Sequence, residues 1–124
     1  MILYVALGGA IGSMLRYLTN VTCGRLCGTG FPYGTLTVNI AGSFIMGLLV
    51  AAMALRYQVS QEARAFLTTG ILGGFTTFSA FSLDFALLAE RGDFAGAITY
   101  LGLSVGLSLA AIFAGLALGR VLFA

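Results

Sequence analysis

Ten charged residues are spread so unevenly along 124 positions that most of the chain has no means of facing water. They stand at 16, 25, 56, 62, 64, 84, 90, 91, 93 and 120, leaving charge-free runs at 26–55, 65–83 and 94–119. A soluble domain carries charge on about a quarter of its residues, whereas here the share is 8%. A helix that crosses the hydrocarbon layer needs about 20 mostly apolar residues. The three runs, with residues 1–15, therefore predict an all-α integral membrane protein. It forms one four-helix domain over 1–124, with spans near 2–18, 35–55, 63–88 and 94–121. The apolar start lacks the basic segment of a signal peptide and reads as a retained first helix. Short linkers make neighbouring helices antiparallel.

The same sparseness excludes several function classes. Histidine is absent, so there is no imidazole base or imidazole metal ligand, and no catalytic constellation or nucleotide motif replaces it. The chain does not read as an enzyme. No basic cluster offers a nucleic-acid surface. Cys23 and Cys27 lie four apart in a glycine-rich stretch and, without further Cys or His, read as incidental thiols. Four thin helices enclose little aqueous space, so a role with solutes requires an oligomer.

Four spans put both ends and the 58–64 linker on one side. Arg56, Arg64 and Arg120 fall there, and Arg16, Arg25 and Arg91 fall on the other, three against three. The positive-inside rule then selects no orientation. One reading is that so few charges make the count uninformative. The other is dual topology, with antiparallel pairing of two identical chains, a symmetry shared with inverted-repeat transporters.

Polar groups inside apolar helices need partners or a pathway. Thr35, Asn39 and Ser43 recur at spacing four on the second span, and Tyr100, Ser104 and Ser108 do so on the fourth. Hydroxyls can bond back to their own helix, but the amide of Asn39 has more hydrogen-bonding positions than one helix satisfies. Small residues at spacing four (Gly8/Gly12, Gly70/Gly74, Gly102/Gly106, Gly115/Gly119) predict close backbone packing. The third span holds Gly73-Gly74-Phe75-Thr76-Thr77-Phe78-Ser79-Ala80-Phe81-Ser82. Paired glycines followed by β-branched threonines predict a broken helix at mid-membrane. A break frees carbonyls, which suit a hard cation, and amides, which suit an anion. Phe78 and Phe81 share a face, and phenyl edges carry partial positive charge.

This ten-residue run, with an acid at 84, resembles the third-helix signature of the Fluc (CrcB) fluoride channels. Gly12 to Arg16, Gly34-Thr35-Leu36-Thr37-Val38-Asn39, and Tyr100, Ser104 and Ser108 extend the resemblance over essentially the whole chain. It departs in having Asp84 where Glu is frequent, and in its cysteine-containing first loop. The resemblance implies an antiparallel, dual-topology homodimer in a bacterial plasma (inner) membrane, with two fluoride pores and passive fluoride efflux. It places Asn39, Phe78, Phe81, Tyr100 and Ser108 along each pore, with Ser104 and Thr35 on the same faces. Thr77 and Ser79 would form a polar track beside the rings, and Arg16 would stand at a vestibule. It also implies a structural Na⁺ held by the main-chain carbonyls of Gly73 and Thr76 where two copies meet. The competing reading is a proton-coupled small multidrug exporter, which needs an acid deep in the first helix. Helix 1 has none, and the only intramembrane acid is Asp84, which reads otherwise as a helix-end charge.

Overall fold

A computed structural model describes residues 1–124. It contains helices and no strand: α1 (Ile2–Cys27), α2 (Tyr33–Leu55), α3 (Gln61–Arg64), a π-helical segment (Ala65–Leu72), α4 (Gly73–Phe75), α5 (Ser79–Glu90) and α6 (Phe94–Phe123). Four stretches are long and apolar enough to cross a membrane: α1, α2, the composite Gln61–Glu90 and α6.

The first helix corrects the sequence expectation. It ends at Cys27 instead of near Leu18, so the link to α2 is only residues 28–32. Polar residues beyond Leu18 do not stop it, because the Thr19 hydroxyl donates a hydrogen bond to the Leu15 carbonyl at 2.9 Å. The chain turns instead at Gly28, whose φ of 82° favours glycine and whose N–H closes on the Gly24 carbonyl. Arg16 consequently lies well inside α1, not one turn from its end. Other boundaries follow local chemistry. Ser60 caps α3 by accepting from the Ala63 N–H at 3.1 Å, and Asp93 caps α6 by accepting from Gly96 at 2.9 Å.

Met1 and Tyr4 border a surface hollow shared with Ser60 and Glu62, and Tyr57 meets Phe123 edge-on at 5.8 Å. Both ends and the linker after α2 therefore share one end of the bundle. At the opposite end the Arg91 guanidinium donates to the Gly30 carbonyl, tying the two remaining linkers together.

Helices meet backbone to backbone where glycine removes the side chain. A Cβ on Gly12 would strike the Ile71 carbonyl and the Phe75 amide, so α1 lies directly on residues 65–75. Gly47 and Gly115 bring α2 onto α6 in the same way. Gly102 and Gly106 depart from the packing expectation, since nothing lies within 4 Å of a Cβ built at either. Only 19 of 124 residues are buried. Large apolar side chains such as Ile2, Phe113 and Val121 stand open on α1 and α6, a surface that only lipid or another apolar chain can cover.

Candidate functional site

The helical ladder of the third span lapses at residues 76–78, where Thr76 is extended with φ −85° and ψ 159°. Its hydrogen bonds explain how the lapse is held. The Thr77 N–H donates to Asn39 Oδ1 at 2.8 Å, and Asn39 Nδ2 donates to the Thr77 carbonyl at 2.9 Å. The Ala80 N–H, in the first turn of α5, donates to the Thr77 hydroxyl at 3.1 Å. In a continuous α-helix the Thr77 N–H would bond the Gly73 carbonyl, and the Ala80 N–H the Thr76 carbonyl. Both amides are spent on side chains, and no other N–H replaces them. The Gly73 and Thr76 carbonyls are thus left as acceptors without donors.

Beside this point lies a cavity of about 500 Å³. Asn39, Gly73, Thr76, Thr77, Phe78, Phe81, Ser104 and Ser108 line it, together with Ser43, Val105 and Leu109. Most of the residues singled out in the sequence therefore converge on one space, contributed by α2, the third span and α6. The lining contains no charged side chain. The Ser104 and Ser108 hydroxyls are buried and have no hydrogen-bond partner. The Phe78 and Phe81 rings are 5.5 Å apart and inclined at 52°. Phe81 is 8% exposed, whereas Phe78 is 76% exposed and projects from the single chain.

The remaining predicted residues lie elsewhere. Thr35 is buried but lines a second hollow of about 340 Å³ beneath the 28–32 linker, which it shares with Asn20, Asp84 and Arg91. Tyr100 is fully buried, its ring edge-on to Phe31 at 5.5 Å and inclined against Phe81 at 5.2 Å. Since Phe31 borders the second hollow and Phe81 the first, Tyr100 stands between the two. Its hydroxyl donates to Asp84 at 3.2 Å. Asp84 is therefore tied to the polar face of α6, a partner that neither the helix-end reading nor the exporter reading of this acid assigned to it. The one signal that could have found it was its position as the sole acid between 65 and 89. Ser79 is exposed and lies 3.3 Å from the Thr77 hydroxyl. Arg16 is half-buried on α1 and borders neither hollow.

Residues 3–116 match the family described as CrcB-like protein, Camphor Resistance (CrcB). The chain belongs to the CrcB-like family. It is 59% identical over 119 residues to a protein of Agrobacterium fabrum, covering 96% of this chain and 95% of the relative. A Chelativorans protein is 56% identical over 119 residues, with the same coverage, and one from Rhodospirillum centenum is 54% identical over 120, covering 97% and 95%. Each of these CrcB-like relatives bears the name Fluoride-specific ion channel FluC. With four helices able to cross a bilayer, this CrcB-like chain is a multi-pass membrane protein.

Proposed function

We propose that two copies of this chain form a channel for passive fluoride efflux through a bacterial plasma membrane, protecting the cytoplasm from the ion. The observation that carries this reading is the uncharged cavity containing two buried serine hydroxyls without partners. Fluoride is small and strongly hydrated, so losing its water must be offset by several donors at short range. Hydroxyls on Ser104, Ser108 and Thr77, the spare Asn39 N–H, and the edges of Phe78 and Phe81 are neutral or weakly polar donors in series. Such a lining admits an anion without trapping it, as conduction requires. A cationic side chain among these donors would hold the ion too long, and the lining has none. Thr35, beyond the Tyr100 partition, extends the route toward the second hollow, and Ser79 extends the polar track. Arg16, half-buried within α1 and bordering neither hollow, acts only at a distance, raising the local anion concentration.

The dimer reading rests on surface left unfinished by one chain. Phe78 projects outward, Gly102 and Gly106 pack against nothing, and the cavity is not enclosed by the single chain. A second copy, inserted in the opposite sense as the small arginine difference between the two ends permits, would close the wall. The interruption of the third span then serves as a functional break at mid-membrane. Its donorless carbonyls on Gly73 and Thr76 suit a hard, oxygen-seeking cation. Four such oxygens, two from each copy, would hold a structural Na⁺, which supplies positive charge that joins the two third spans. CrcB-like membership and the absence of an acid in α1 set the multidrug-exporter reading aside.

Purified protein in liposomes, followed with a fluoride electrode, tests the proposal. Fluoride is expected to leave far faster than chloride from otherwise identical vesicles. Equal rates for the two anions would overturn it.

A further inference from the structure

The geometry points to Asn39 as a positioning residue for the third span, beyond any contact it makes with a permeating ion. Its carboxamide replaces the helical partners of Thr77 on both sides at once, accepting from the Thr77 N–H at 2.8 Å and donating to the Thr77 carbonyl at 2.9 Å. This is the pairing that one peptide group makes with another, supplied by a side chain 38 residues away. Two consequences follow. First, the backbone interruption no longer leaves Thr77 with unsatisfied polar groups, which in an apolar surrounding would favour closing the helix again. Second, diverting the Thr77 N–H takes from the Gly73 carbonyl its only helical donor. The Thr77 hydroxyl does the same for the Thr76 carbonyl through Ala80. Asn39 therefore keeps the Gly73 acceptor free directly and the Thr76 acceptor only through the Thr77 conformation it fixes, and this role does not depend on which anion the cavity carries.

One N–H and one lone pair of the amide remain for the cavity, so the arrangement also fixes which part of Asn39 an ion can meet. Neither serine nor threonine could substitute, because a single hydroxyl does not span both backbone groups. Aspartate could accept from the Thr77 N–H but, when ionised, could not donate to the carbonyl.

Deuterium uptake of the purified protein, resolved to the peptide covering 73–82, tests this with Asn39→Ala and Asn39→Asp. A buried hydrogen bond lost from Thr77 should speed exchange there about 10- to 100-fold in Asn39→Ala, with α2 and α6 peptides as internal references. Asn39→Asp, which keeps the acceptor, should hold the Thr77 amide near its wild-type rate. Replacing NaCl by choline chloride should speed exchange over 73–77 in the wild type and have less effect in Asn39→Ala, whose acceptors are no longer maintained. Wild-type exchange over 73–82 in Asn39→Ala would overturn the inference, as would equal acceleration in both variants. Neither result bears on fluoride selectivity, which the liposome assay reads separately.

Discussion

Ser104 and Ser108 hold their hydroxyls out of water with nothing to bond. A buried polar group without a partner costs about 1–3 kcal/mol, so the chain would be as stable or more so without them. Replacing both by alanine is expected to leave the thermal unfolding midpoint in detergent unchanged or raised. Fluoride flux should fall about tenfold, the loss expected for ~1.4 kcal/mol of barrier. A lowered midpoint with normal flux would make the hydroxyls structural instead. The two phenylalanines separate in the opposite way. Phe81 is buried against Tyr100, whereas Phe78 projects from the chain. Both Phe78→Ile and Phe81→Ile should reduce flux, but Phe81→Ile should destabilise the single-chain fold more, by about 1 kcal/mol. It also loses the buried pair with Tyr100, while Phe78 shares only the pair with Phe81. Flux unchanged in both variants would remove the rings from the pathway. Residue types alone revealed this face, since hydroxyls and an amide at spacing four have few uses inside an apolar helix. They did not reveal the Asn39–Thr77 pairing or the Asp84–Tyr100 bond, because each joins groups on different helices whose relative rotation only packing decides.

Between elements, contact is set by which glycines face a neighbour. Gly9 and Gly12 are indistinguishable by composition, yet a Cβ on Gly9 meets nothing and one on Gly12 meets the backbone of residues 71 and 75. Overpacking of this kind costs about 1–3 kcal/mol, and here the obstacle is main chain, which cannot rotate aside. Gly12→Ala is therefore expected to lower the unfolding midpoint and displace residues 71–75, with loss of flux. Gly9→Ala should behave as wild type. Equal stability of the two variants would mean that α1 does not seat on the third span as described. The spans themselves were legible because charge marks where a helix must leave the bilayer. The end of α1 was not, since neither the polar residues after Leu18 nor Gly24 stops a helix whose hydroxyls find carbonyls within it. The π-helical turns at Ala65–Leu72 were equally hidden. They differ from α-helix by one step in hydrogen-bond register, a choice that side-chain polarity hardly influences.

At the scale of the whole molecule, scarcity of charge becomes a functional property. Arg56, Arg64 and Arg120 gather at the end shared by residues 1 and 124, and Arg25 and Arg91 lie toward the other, with Arg16 inside α1. So small a difference, three against two, should be outweighed by two added lysines. Gln58→Lys with Gln61→Lys loads one end, and Leu26→Lys with Glu90→Lys loads the other, all at exposed positions. Each pair should drive its chains into a single orientation, readable by labelling an introduced terminal cysteine from one side of the membrane in a background lacking Cys23 and Cys27. If the pathway is walled by two oppositely inserted copies, either biased variant expressed alone should lose fluoride efflux. Co-expression should restore efflux, because each variant then supplies the orientation that the other lacks. Full efflux from one uniformly oriented variant would mean that parallel copies, or one chain alone, complete the path. The open flank of the cavity beside Phe78 would then have to be closed by lipid, which offers no donor to a dehydrated anion.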